Sequence, residues 1–248
     1  MQAAKTNTDI NMPSEIARFN MREARFNMPS DIARFNMIEQ QIRTWEVLDP
    51  SVLQLLNVVP RENFVPREYT GLAFADIEVP IGHGQTMLHP KLEARMLQAL
   101  NVQSTHTVLH IGSGSGYFTA LLASLAKHVV SVEINTDLSE IAAKNIKAQN
   151  LTNVSLQIGD GAQGYTDKTG IKAMFDIIVF TASSPVEPVH MRNQLNIGGT
   201  LLIVLGQAPV MQAVRIQRVS ATGFKQQVLF ETCLPVLENA AQSEAFEF

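Results

Sequence analysis

From residue 107 onward, short apolar runs rich in β-branched residues alternate with stretches whose apolar positions recur every three or four residues. TVLHIG (107–112), VVSVEI (129–134), VSLQI (154–158), FDIIVFT (175–181) and TLLIVL (200–205) predict strands. YFTALLASLA, DLSEIAAKNIKAQN and VEPVHMRNQL lie between them and carry helical spacing. Such alternation predicts βαβ units, a mostly parallel sheet covered on both faces, and right-handed crossovers. AVRIQRV and QQVLFET instead flank Ala221-Thr222-Gly223 with no helix between them, which predicts an antiparallel hairpin closing the sheet edge. The expected fold is α/β, a doubly wound, mostly parallel seven-stranded sheet with an antiparallel C-terminal hairpin.

The first hundred residues read differently. Asp31, or Ser30 before it, can cap IARFNMIEQQIR, where Ile32, Phe35, Ile38 and Ile42 share helical spacing. PSVLQLLNVV predicts a second helix with Pro50 at its start, and NFVPREYTGLAF reads as irregular. Residues 31–80 therefore predict an N-terminal helical cap. Ahead of it, NMPSEIARFNM (11–21) returns as NMPSDIARFNM (27–37), and ARFNM occurs again at 24–28. The tract is too short for a solenoid, which needs about three or more stacked units. It reads as a tandem duplication of a starting helix, loosely attached, or as a docking arm anchored by Phe19, Phe26 and Phe35. The expected organisation is a repetitive arm (1–30), a cap with its following segment (31–100), an α/β core (101–236) and a tail (237–248).

Composition narrows the function classes. With 46% hydrophobic residues in 248, the chain has enough apolar material for a packed core. Lys plus Arg total 19 against 23 Asp plus Glu, a net charge of −4, which argues against a nucleic-acid binder. No apolar stretch reaches the ~18 residues of a membrane span, and no basic-then-apolar leader opens the chain. The single Cys233 leaves no intrachain disulfide and no multi-cysteine metal site. A cytoplasmic protein without membrane, nucleic-acid or metal partners is expected.

The chemistry begins at His110-Ile111-Gly112-Ser113-Gly114-Ser115-Gly116-Tyr117. Small residues between a strand and a helix let a ligand approach the backbone, and the N–H groups at the helix start favour electronegative groups. A dinucleotide fingerprint would place its third glycine at Tyr117, so the Gly-x-Gly-x-Gly run suits a cofactor without a pyrophosphate. Glu133, ending the second strand, can accept hydrogen bonds from both ribose hydroxyls of a nucleoside. Asp160, in Gly159-Asp160-Gly161 after the third strand, lies on the same sheet edge. There it can accept from the exocyclic amine of adenine, or simply form an Asp-Gly turn. Together these residues outline a nucleoside-plus-amino-acid ligand.

VLHIGSGSGY, VVSVEI, IGDGAQGY, FDIIVFTAS and LNIGGTLLIVLG resemble the successive motifs of class I S-adenosylmethionine-dependent methyltransferases, which have a Rossmann-like fold. Upstream, FVPREYTGLAFADIEVPIGHGQTMLHP is similar to the segment before the glycine loop in protein-L-isoaspartate O-methyltransferases, with Pro-Ile-Gly-x-Gly-Gln-Thr as its diagnostic element. The likeness covers roughly residues 38–236. It implies methyl transfer from S-adenosyl-L-methionine to the free carboxyl of isoaspartyl residues in aged proteins, a repair reaction. Carried over by position, Gly112, Ser113, Gly114, Gly116, Glu133, Asp160 and Gly161 would hold the cofactor. Gly84, Gln85 and Thr86 would form the wall between cofactor and substrate.

The departures fall on the substrate side. The family carries Thr-Ile-Ser where this chain has Thr86-Met87-Leu88, and Leu88 cannot donate a hydrogen bond to a carboxylate. Its Val-Arg-Phe-Val-Pro-Leu segment corresponds to Glu231-Thr232-Cys233-Leu234-Pro235-Val236, which keeps the proline and loses the arginine. His110 stands where the family has Glu and reads as a buried, hydrogen-bonded strand residue. A carboxylate acceptor, with a pKa of about 4, is ionised at neutral pH and needs no base, whereas a hydroxyl or amine would gain from one. His83 and His89 flank Gly-Gln-Thr and could serve as that base or as donors to a carboxylate. Equally, His83 can be solvated and His89 can simply open a helix before Pro90. Candidate catalytic residues are thus Gln85, Thr86 and His89. Trp45 is expected to pack the cap. The alternatives are a related methyltransferase with another, small-molecule acceptor, or a non-catalytic S-adenosylmethionine-binding module.

Overall fold

In chain order, the computed structural model contains α1 (Pro29–Asn36), α2 (Pro50–Val58), β1 (Val79–Gly82), β2 (Gln85–Met87), α3 (Pro90–Leu100), β3 (Thr107–Ile111) and α4 (Tyr117–Leu125). There follow β4 (His128–Glu133), α5 (Thr136–Ala148), β5 (Val154–Ile158), β6 (Phe175–Ser184), α6 (Val189–Arg192), β7 (Leu195–Gln207), β8 (Val210–Arg218) and β9 (Phe224–Glu231). The structure describes residues 29–166, 170 and 173–242, so the repetitive arm as far as residue 28 lies outside the described residues. Among these, no helix is long and apolar enough to cross a membrane.

The predicted sheet is present: seven strands in the order β5-β4-β3-β6-β7-β8-β9. Pairings from β5 to β7 are parallel, and β7-β8 and β8-β9 are antiparallel. Alternate side chains of each strand enter opposite cores, as strand geometry requires. Val108, Val129, Val179 and Leu202 join one cluster; Leu109, Val130, Ile178 and Leu201 join the other. The first cluster also takes the buried faces of α2, α3, α4 and α5, so cap and sheet share one core.

Local chemistry explains the departures in detail. α1 begins at Pro29, ahead of the expected caps, and passes into a π-helical turn, Met37–Ile42. Met37, Ile38 and Ile42 are buried there, whereas Ile32 stays half exposed, so the apolar face assigned to this helix starts later than its spacing suggests. Asp49 caps α2 by accepting from the Ser51 and Val52 amides, with Pro50 in the first turn. VEPVHMRNQL holds only the four residues of α6, because Pro188 precedes them and Leu195 is already strand. The β1-β2 hairpin was not expected. Gly82, His83 and Gly84 all take positive φ at its tip, and His83 is anchored 3.3 Å from the Asp137 carboxylate at the start of α5. Trp45, expected to pack the cap, is 42% exposed.

A buried arginine ties these parts together. Arg61, 1% exposed, donates from Nε to the Ala73 carbonyl (2.9 Å) and from a terminal nitrogen to the Leu88 carbonyl (2.7 Å), and it pairs with the buried Glu93 on α3. Its guanidinium also lies 4.9 Å from the Tyr117 ring centroid at the start of α4. Burial pushes the Glu93 carboxyl up to about 7, against the opposing pull of Arg61.

Beneath the glycine loop, His110 is fully buried on β3. Its Nδ1 lies 2.9 Å from the Thr119 hydroxyl and 3.1 Å from that of Ser131, and its Nε2 lies 3.2 Å from the Thr181 hydroxyl. Thr181 donates its own proton to the Gly112 carbonyl at 2.7 Å, so its oxygen must accept. The imidazole is therefore the neutral Nε2–H tautomer, and burial lowers its pKa to about 3.

Replacing Arg61 with Met should cost about 3–5 kcal/mol in urea denaturation, because Glu93 is left buried without a partner. Arg61→Met/Glu93→Leu should recover much of that loss; a single-variant loss below about 1 kcal/mol would contradict the role given to the pair. For His110, the folded-state pKa lies below its ordinary value, so the unfolded chain binds the extra proton between about pH 6.5 and 3. Stability should fall with pH across that window by up to about 1.4 kcal/mol per unit from this group alone. His110→Gln should show a shallower fall between pH 7 and 5, and an identical fall would refute the assignment.

Candidate active site

The carboxyl ends of β3, β4 and β6 open into a crevice enclosing about 630 Å³, counted to its mouth. Its floor is the glycine loop. Gly112 has φ +93°, and a Cβ there would stand 2.8 Å from the Thr181 hydroxyl, so only glycine lets β3 turn this closely against β6. Gly116 caps α4 with φ +86° and lies so close to α5 that a Cβ would sit 3.1 Å from the Ala142 Cα. Its requirement is the approach of two helices, and it does not line the crevice.

Glu133 stands beside the loop at the end of β4 and is 7% exposed. One carboxylate oxygen accepts from the Gly114 amide (2.9 Å) and the other from the Asn135 amide (3.1 Å). An ionised carboxylate offers about four acceptor positions, so both oxygens retain capacity for two further donors. Those acceptors, with the Gly112 and Gly114 backbone lining the same crevice, fit the ribose and amino-acid ends of an adenosyl amino acid.

Gln85, Thr86, Gly112, Gly114 and Glu133 all line the crevice, as the sequence predicted. Other predicted residues stand back from it. Ser113 turns its hydroxyl to Ser131 (2.7 Å) and lines a smaller adjoining cavity with Thr86 and Leu88. Gly84 sits at the exposed hairpin tip. Gly161 packs on Ile111, where a Cβ would be 2.4 Å from a methyl group. Asp160 accepts from the Ala162 amide (2.9 Å) and from the Asn239 side chain (3.2 Å). His89 precedes α3 and pairs at 3.2 Å with Asp76, in a neighbouring pocket.

Sequence reasoning placed Pro235 and Val236 on the substrate side but missed Leu237 and Glu238, which complete a roof with them. Residues 235–238 cross the crevice mouth, placed by Ser183, whose amide donates to the Pro235 carbonyl (2.8 Å) and whose carbonyl accepts from the Leu237 amide (2.8 Å). The expected division between core and tail at residue 236 falls inside this segment. Ile134, Leu138, Thr181 and Ala182 add to the lining. Thr181 and Ala182 carried a usable signal, since they end and follow a predicted strand at the same carboxyl edge as Glu133; Leu237 and Glu238 carried none.

These features agree with what the chain resembles. A family model described as Protein-L-isoaspartate(D-aspartate) O-methyltransferase (PCMT) matches residues 33–238. A protein-L-isoaspartate O-methyltransferase of Magnetococcus marinus is 38% identical over 75% of this chain and 79% of its own. One from Methanoculleus marisnigri is 39% identical over 72% and 80% respectively. Among solved structures, a putative protein-L-isoaspartate O-methyltransferase of Plasmodium falciparum, in complex with S-adenosyl-L-homocysteine, superposes with a TM-score of 0.69 at 21% identity, covering 82% of this chain and 97% of that one. With crevice, sheet order and sequence in agreement, the chain belongs to the protein-L-isoaspartate(D-aspartate) O-methyltransferase family.

Proposed function

We propose that this protein methylates the free carboxyl of L-isoaspartyl residues in polypeptides, using S-adenosyl-L-methionine. The observation that carries the reading is the Glu133 carboxylate set beside the Gly112–Gly114 turn, with Gln85 and Thr86 on the same crevice. In this reading Glu133 accepts from the ribose hydroxyls, and the loop backbone receives the amino-acid end. When bound, the cofactor supplies an electrophilic methyl on a sulfonium. The protein's task is then alignment and exclusion of water, and positioning of this kind is worth up to about 7–11 kcal/mol.

An isoaspartyl carboxylate is already ionised at neutral pH. His89, engaged with Asp76, and His110, held neutral within the sheet, are therefore not required as bases. Thr86 brings a hydroxyl to the crevice wall. Its proton goes to Glu78 at 3.3 Å, and re-aiming it at a substrate carboxylate breaks only that long bond. Leu88 is buried beside it and contributes shape without a donor. A cytoplasmic setting belongs to this reading, and the one cysteine, Cys233, is compatible with it.

Labelled methyl transfer to matched isoaspartyl and aspartyl peptides tests the reading. A base-labile ester on the isoaspartyl peptide alone is expected, and equal labelling of both, or of neither, would overturn it. Leu88→Ser restores a donor to a charged group and should raise kcat/KM on the isoaspartyl peptide by about tenfold. A fall would show that the pocket is shaped for another acceptor.

A further inference from the structure

A second pocket adjoins the crevice on the acceptor side, enclosing about 660 Å³ to its mouth. The two are contiguous along the chain. Glu78 lines the second pocket and accepts from Thr86 of the first. Thr232 and Cys233 line the second, and Pro235 and Val236 line the first. Its walls come from four parts of the sequence: Trp45 of the cap, Glu78 just before β1, α3 with His89 ahead of it, and the end of β9 with the residues that follow.

The charges in this pocket are unequally matched. Lys91 is committed to Asp76 at 2.6 Å, with its ammonium 4.3 Å from the Trp45 ring centroid. His89 shares the same Asp76. Arg95 is different. Its guanidinium lies 4.3 Å from the Phe230 ring centroid and 5.7 Å from that of Trp45. Among the described residues no carboxylate is within ion-pair distance of it, and none of its N–H groups donates to a protein acceptor. Glu78 is engaged with Thr86, and Glu231 stands exposed at the rim.

Packing against the Phe230 and Trp45 rings restrains this guanidinium, whose donors form a planar fork. That fork matches a carboxylate bidentately, and little side-chain freedom remains to be lost on binding. We propose that this pocket receives a second carboxylate of the substrate polypeptide, separate from the one methylated, on the edge of Arg95. The carboxylate can be supplied by an acidic side chain near the acceptor or by a nearby chain terminus. Glu78 and Glu231 repel an incoming anion at the rim, so the preference depends on reaching Arg95 itself. The proposal rests on the methyl-transfer reading of the crevice and adds to it a basis for choosing among substrates.

The test uses isoaspartyl peptides carrying Glu or Gln two residues from the acceptor, each with a free or amidated C-terminus. Methyl transfer is followed for the wild type, Arg95→Gln and Arg95→Lys. The wild type should show a KM at least fivefold lower for the peptides with a second carboxylate, with kcat unchanged. That difference should vanish in Arg95→Gln and shrink in Arg95→Lys, and the Glu/Gln and acid/amide arms tell which source Arg95 reads. Cys233, the only cysteine of the chain, lines the pocket and reports occupancy without turnover. With S-adenosylhomocysteine present, the favoured peptide should slow its alkylation at least fivefold in the wild type and not in Arg95→Gln. Equal KM values across all four peptides would overturn the proposal while leaving the methyl-transfer reading intact. Failure to methylate any isoaspartyl peptide would overturn both.

Discussion

Arg61 adds a polar tie to segments that already share one apolar core. It comes from the irregular stretch after α2, yet it holds the Ala73 and Leu88 carbonyls, pairs with Glu93 on α3, and lies against Tyr117 at the start of α4. Its bond to Leu88 fixes the end of the β1-β2 hairpin, and its contact with Tyr117 fixes the helix that leaves the glycine loop. One guanidinium thus touches both the acceptor wall and the helix that leaves the cofactor floor. A buried ion pair adds little net stability over well-packed apolar residues, but losing one partner is severe. The gain here is geometric: the pair defines a single arrangement of cap against sheet.

On that frame, the crevice is built from backbone more than from reactive side chains. Gly112 permits the tight turn, Thr181 secures its carbonyl, and His110 below secures Thr181 without contributing charge. Glu133 places a carboxylate at the rim and is itself held by two amides. An enzyme acting on an activated methyl and an ionised carboxylate needs little more than such placement. The acceptor side is where this chain carries Leu88 in the wall, and Trp45, Arg95 and Phe230 around the adjoining pocket.

The parallel strands, the terminal hairpin and the cofactor edge were legible because each depends on local pattern. Strand runs declare themselves by composition, and Glu133 and the glycine loop by their position after those runs. What escaped depends on contacts between distant segments. Nothing near residue 236 announces that it will bridge to Ser183 and roof the crevice. Asp160 accepts from Asn239 and His89 pairs with Asp76, contacts that no local pattern marks. Trp45 reads as a core residue by type, yet cations on α3 cover it. The π-helical turn likewise moves the buried face of the first helix without any mark in the apolar spacing.

Because placement is the central claim, binding examines it more directly than turnover does. Calorimetric titration with S-adenosylhomocysteine should give one site per chain in the wild type. In Glu133→Gln, one charged acceptor is lost and affinity should drop by at least about tenfold, the worth of a hydrogen bond to a charged group. Unchanged affinity in that variant, or no binding to the wild type, would contradict the account.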